Sequence, residues 1–151
     1  MERVTAALAE LGFGRPRIRQ FPNSTATAAE AAAAIGTSVD RIVKSLVFMA
    51  GDRPILVLVS GSNRVDTNRL AALVGAPIKR ASADQVRAAT GFPIGGVPPV
   101  GHASTLTTYI DADLLRYDEV WASAGSPHSV FPIDPPTLIG ITKGHLVDIH
   151  D

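Results

Sequence analysis

The sequence contains no cysteine. That excludes a disulfide framework, a thiolate nucleophile and any zinc site with cysteine ligands, and it fits a reducing compartment. It also lacks net charge, with 14 Lys and Arg against 14 Asp and Glu, which argues against avid, non-specific nucleic-acid binding. Long apolar runs are missing as well. None exceeds the length of Ile55-Leu56-Val57-Leu58-Val59, which is far too short to span a bilayer. The first residues have neither the basic patch nor the apolar core of a signal peptide, so the chain reads as a soluble, cytoplasmic protein with no membrane partner. Familiar catalytic patterns are absent too: no G-x-S-x-G elbow and no phosphate-binding G-x-x-x-x-G-K-[ST] loop. The histidines, His102, His128, His145 and His150, form neither H-E-x-x-H nor a tight ligand cluster. Asp111 and Asp113 read as a cap or turn at a strand end. No metal or cofactor is expected.

What is present suits one domain over residues 1–151 with a real core. Charge is uneven: residues 1–87 carry 12 Lys and Arg against 7 Asp and Glu, and residues 88–151 carry 2 against 7. Either a phosphate-facing half or chance spread over a folded surface produces this. Val4, Leu8 and Leu11 make one helical stripe over 2–11. Ile18 to Phe21 reads as a short strand. Thr27-Ala28-Ala29-Glu30 has the form of a capping box opening a helix that ends at Gly36. Residues 42–49 and 54–60 are the best strand pair, the second apolar throughout and so covered on both faces. Asp66 starts a helix closed by Gly75, and Ser82 or Ala83 starts another that ends near Gly91. Short strands follow near 105–110, 119–124 and 129–133, then a brief helix from Pro135-Pro136. This order predicts an α/β (α+β) domain around a mixed, largely antiparallel sheet flanked by helices.

Three segments stand out chemically. In Ile42-Val43-Lys44-Ser45-Leu46-Val47-Phe48, strand alternation puts Lys44 on the same face as Ile42, Leu46 and Phe48. An ammonium there either snorkels from the strand end or waits at the mouth of a pocket for a phosphate or carboxylate. In Gly91-Phe92-Pro93-Ile94-Gly95-Gly96-Val97-Pro98-Pro99-Val100-Gly101-His102, four glycines and three prolines specify an unusual backbone path. Such a loop is either a tight structural crossover or a means of aiming main-chain donors at an oxyanion or a water. In Trp121-Ala122-Ser123-Ala124-Gly125-Ser126-Pro127-His128, small residues after a strand either line a cavity or form an ordinary turn.

Taken together and in this order, the Lys44 strand, the segment Thr90-Gly91-Phe92 with Gly95 to Gly101, and Trp121 to Gly125 resemble the YbaK-like and prolyl-tRNA synthetase editing-domain superfamily of aminoacyl-tRNA deacylases. The similarity runs from about Phe21 to Ile149, at the length of free-standing members. It implies trans-editing: hydrolysis of the ester joining a wrong, small amino acid to a tRNA, often that for proline, without metal or covalent intermediate. The G-x-x-x-P backbone, here Gly95, Gly96, Val97, Pro98 and Pro99, would position the carbonyl and a water, with the tRNA 2′-hydroxyl assisting. Lys44 would hold the terminal phosphate or ribose. Substrate-binding positions implied by the resemblance and its loops are Phe21, Thr27, Gly101, Ser123, Gly125, His128 and Val130. Cysteine-specific members tend to have a tyrosine where Phe21 stands and an aspartate near Val130, so cysteinyl specificity does not follow; Thr27 serves as cap, pocket wall or both. The implied partners are the acceptor end of an aminoacyl-tRNA and a synthetase, with a homodimer left open. The alternative is a non-catalytic module of the same fold that binds tRNA ends or a synthetase.

Overall fold

A computed structural model describes residues 2–150. Helix α1 (Glu2–Glu10) is followed by strand β1 (Arg19–Gln20), helix α2 (Ala28–Ile35) and a 3-10 turn at Val39–Arg41. Strands β2 (Val43–Ala50) and β3 (Arg53–Ser60) form a hairpin, followed by α3 (Thr67–Val74), β4 (Ile78–Arg80) and α4 (Ala83–Thr90). After the glycine-proline loop come β5 (Thr107–Asp111), a 3-10 helix (Ala112–Arg116), β6 (Val120–Ser123), β7 (Ser129–Ile133), α5 (Pro135–Thr142) and β8 (His145–Val147).

The expected mixed sheet is a five-stranded one in the order β4-β2-β3-β5-β8, antiparallel from β4 to β3 and parallel from β3 to β8. The sequence reading placed all strands around one sheet. The structure separates β1, β7 and β6 into a second, antiparallel sheet. A single parallel bridge, Ile42 with Trp121, joins the two. Strand β3 lies at the centre and is buried from Ile55 to Ser60. Its Leu56 and Leu58 face the main core with Val43, Val47, Ile110 and Phe131. Its Ile55 and Val57 face a second cluster with Leu70 of α3 and Ile149. Both faces are covered, as the unbroken apolar run requires.

Local signals set the helix ends. Thr27 and Glu30 make the reciprocal capping box, and Gly36 closes α2 in the left-handed region at φ 84°. Asp66 accepts from the amides of Asn68 and Arg69, and Asp134 caps α5 ahead of its prolines. Ser82 and Gln85 form a second capping box. In α1, Val4 and Leu8 are fully buried while Leu11 is 43% exposed. The helix stops at Glu10, and the Phe13 amide turns back onto the Leu8 carbonyl. Phe13 therefore packs on Phe131 in the place the stripe assigned to Leu11. Strands β4 and β8 were not anticipated; they are three-residue edge strands, mostly exposed and too short for a periodicity to read. No helix is long and apolar enough to cross a membrane among the described residues.

Removing the Thr27 hydroxyl strips one partner from the α2 N-terminus. Thr27→Ala is expected to lower stability by about 1 kcal/mol. Urea denaturation should show this as a lower midpoint at unchanged slope.

Candidate active site

Strand β2 outruns its neighbour. β3 pairs with it along its whole length, but β4 pairs only with Phe48, Met49 and Ala50. From Ile42, where Trp121 bridges, to Val47, whose carbonyl accepts from the Ala81 amide at 3.2 Å, the second edge of β2 has no partner strand. A cavity of about 290 Å³ lies along this gap. The segment Thr25 to Ala28, the glycine-proline loop and the small sheet wall it in. Cross-strand register places Val130 opposite Ser123, with Trp121 two residues on, so all three share the cavity face of the small sheet. Ala122, Phe131 and Ile133 point the other way, into the core.

The loop is wedged in by its glycines. At Gly95, φ is 83° and a Cβ would stand 2.7 Å from the Ala26 Cβ; at Gly96 a Cβ would stand 2.9 Å from the Ser126 carbonyl carbon. Gly95 and Val97 line the cavity. Gly96, Pro98 and Pro99 are buried behind it. His102 Nε2 lies 2.7 Å from the Pro98 carbonyl oxygen, and burial pushes the His102 pKa down. Gly101 docks on α1, its carbonyl accepting from Arg3 at 3.1 Å, away from the cavity wall. The loop is thus a packed crossover along most of its length, and at Gly95 and Val97 it also walls the cavity.

Lys44 is half-buried at the cavity and donates to the Asn63 carbonyl. No carboxylate forms an ion pair with it among the described residues. Burial is the main cause that lowers its pKa, reinforced by Arg64 and Arg80 and opposed by Asp111. Lys44 thus has a carbonyl partner, two cationic neighbours and no carboxylate in ion-pair contact. Asn63 is held in turn. Its side-chain amide donates to Asp111 at 2.8 Å and Asp113 at 2.9 Å, and the fully buried Asp111 also accepts from the Ser60 amide at 3.1 Å. Asp111 does cap the 3-10 helix, accepting from the Asp113 amide. It also anchors the residue that seats Lys44, which spacing along the chain did not reveal. Asp111, Asp113 and His150 converge within 4.8 Å, a grouping made by the fold alone. Their acceptors are engaged by Asn63, Ser60 and Arg116.

The remaining sequence candidates divide. Thr27, Ser123 and Val130 line the cavity, so Thr27 is both cap and wall. Phe21 lies on the same sheet face beyond it, with the Arg19 guanidinium 5.0 Å from its ring and 5.8 Å from that of Trp121. Gly125 at φ 106° packs on Phe92 and Val4, and exposed His128 meets the Asn23 carbonyl at 3.1 Å. Neither lines the cavity. Sequence reading missed Thr25, Ser45 and Arg80, all lining residues. Arg80 ends an edge strand too short to recognise, and serine and threonine carry no directional signal of their own.

Fold and site define a class: an α/β domain with a small, mostly apolar cavity beside a lysine and a glycine-proline loop. The chain belongs to the aminoacyl-tRNA editing domain family, whose model matches residues 22–141. A solved structure described as a candidate trans-editing enzyme for prolyl tRNA synthetase superposes with a TM-score of 0.94 at 47% identity, covering 99% of this chain and 96% of that one. The uncharacterized protein YwhH of Bacillus subtilis is 35% identical over 122 residues, 80% of this chain and 78% of its own. EbsC of Enterococcus faecalis, a candidate Cys-tRNA(Pro)/Cys-tRNA(Cys) deacylase, is 25% identical over 125 residues, 82% of this chain and 76% of its own.

The lowered pKa of Lys44 has a direct consequence. Its positive charge should be lost as pH rises through a midpoint below the ordinary lysine value of 10.5, and anion affinity at the cavity should fall over the same range. A lysine-selective NMR titration checks this; a midpoint at or above the ordinary value contradicts it.

Proposed function

We propose that this protein is a cytoplasmic trans-editing hydrolase that cleaves the ester of a mischarged aminoacyl-tRNA carrying a small amino acid, on tRNA for proline or a related tRNA. The observation that carries this reading is the meeting, in one cavity, of Lys44 without a counter-ion and the Gly95–Val97 backbone. The family assignment and the solved relative described as a trans-editing enzyme support it.

In this reading the amino-acid side chain enters the cavity and the ester carbonyl rests against the main chain of Gly95 to Val97. Lys44 leaves the Asn63 carbonyl for the terminal phosphate or ribose, exchanging a neutral acceptor for an anionic one. A water held by the loop backbone attacks the carbonyl carbon. The carbonyl oxygen gains negative charge, which main-chain N–H groups stabilise. The ester C–O bond then breaks, the ribose oxygen leaves with a proton to which the 2′-hydroxyl has access, and the amino acid departs as a carboxylate with one proton released to solvent. An aminoacyl ester is already activated, so positioning and oxyanion stabilisation suffice.

No aspartate, glutamate or histidine lines the cavity, and this specifically favours a second reading, a module that binds the acceptor end without cleaving it. A panel of mischarged tRNAs separates the two. Wild type should release amino acid from at least one member, and Lys44→Ala should lose about 10- to 100-fold in kcat/KM, the worth of a charge-assisted hydrogen bond, while staying folded. Tight binding with no turnover on any member would establish the second reading.

A further inference from the structure

The glycine-proline loop is tied down at both ends but held in its middle by a single side chain. At the start, the Phe92 amide donates to Thr90 Oγ1 at 3.0 Å, and that hydroxyl donates to the Val86 carbonyl of α4 at 2.8 Å. At the end, the Ala103 amide donates to the Thr90 carbonyl at 3.0 Å and the Ser104 amide to the Ala89 carbonyl at 3.1 Å. Arg3 of α1 spans both ends, its guanidinium 4.9 Å from the centre of the Phe92 ring and donating to the Gly101 carbonyl. Between these ends, from Gly95 to Val100, two hydrogen bonds occur among the described residues. The Gly96 amide meets the Pro93 carbonyl at 3.0 Å, and the His102 ring meets the Pro98 carbonyl.

Residues Gly96 to Val100 are buried. Buried main-chain polar groups need partners, and this stretch is short of donors, because Pro98 and Pro99 have no N–H. The Pro98 carbonyl therefore takes its donor from a side chain. A carbonyl oxygen only accepts, so the 2.7 Å contact requires a proton on Nε2 of His102. Burial favours the neutral ring, whose one N–H is then committed to the loop. His102 is placed in turn by Ala103, the next residue, whose amide is fixed on α4. The ring thus extends a fixed point of the scaffold into the middle of the loop. Pro98 and Pro99 have φ locked by their rings, so few torsions separate the held carbonyl from Val97 and Gly95, which line the cavity.

We infer that His102 is a positioning residue: through its hydrogen bond to the Pro98 carbonyl, it sets the place of the Gly95–Val97 main chain against the substrate ester. His102 does not line the cavity, so it acts on the reaction only through the loop. A site without a side-chain acid or base takes its rate from geometry, and a displacement of about 1 Å costs on the order of 100-fold. Loss of the ring leaves a buried carbonyl without a donor, and the loop must shift to find one.

That the loop meets an ester rests on the deacylase reading; that His102 holds the loop does not. The test compares wild type with His102→Leu, which removes the donor, and His102→Gln, whose side-chain amide supplies one in its place. On a mischarged tRNA that wild type cleaves, His102→Leu should lose about 10- to 100-fold in kcat, with KM changed by no more than about twofold. His102→Gln should recover most of that loss. The Gly96 and Val97 amides should exchange with solvent about tenfold faster in His102→Leu and close to the wild-type rate in His102→Gln. Unchanged kcat or unchanged exchange in His102→Leu, a loss confined to KM, or equal losses in both variants overturns the inference. Should wild type cleave no ester, the deacylase reading falls by itself. Amide exchange then decides: faster in His102→Leu and restored in His102→Gln upholds the role of His102, and no change overturns it. Should His102→Leu fail to fold, nitrogen NMR of the wild-type ring decides. A protonated Nε2 with a bare Nδ1 upholds the inference, and a neutral ring protonated on Nδ1 overturns it.

Discussion

A strand edge without a partner strand must find other uses for its main-chain polar groups, and the rest of this site follows from that constraint. β2 continues past β4 toward Ile42, where the second sheet attaches through Trp121. Had β4 extended along the full edge, there would be no gap between the sheets and no cavity. The gap is bounded by elements that arrive from distant parts of the chain: the approach to α2, the glycine-proline loop and the face of β6 and β7. Each is fixed by its own local chemistry, a capping box, two glycines in close contact and an antiparallel register. The cavity is therefore held by elements that are each fixed locally.

The second determinant is a buried carboxylate. Asp111 is fully buried and would be costly there without partners. It takes the Ser60 amide, the Asn63 side chain and the Asp113 amide, so two main-chain groups and one side chain are tied to one carboxylate. Asn63 carries this order on to Lys44 through its carbonyl. Lys44 is consequently held by a neutral acceptor, with its charge unmatched. An ammonium paired with a carboxylate would be stabilised but spent; one resting on a carbonyl keeps its attraction for an incoming anion.

Much of the fold was legible in the sequence because local rules specify it. The Thr27 to Glu30 box, the Asp66 cap, the closing glycines and the fully apolar β3 each state their role within a few residues. Leu11 shows the limit: the periodicity was sound, but the turn of Phe13 onto Leu8 ended the helix first. β4 and β8 show another, since three residues at a sheet edge owe their strand state to a neighbour and not to themselves. For the site, Lys44 and Gly95 to Val97 announced themselves as residues at odds with their surroundings. Gly125 and Gly101 did so too, yet they serve packing on Phe92, Val4 and α1.

The sequence by itself determined the helix ends, the central hairpin, the absence of thiol chemistry and which residues were unusual. Those are properties of short-range backbone preference and of residue type. Tertiary structure alone decided that the strands divide into two sheets, that Asp111 reaches Lys44 through Asn63, and that Arg3 meets both ends of the glycine-proline loop. These depend on which groups lie within hydrogen-bond distance across separations of tens of residues. Such distances are set by the packing of the whole core and leave no mark on the local pattern.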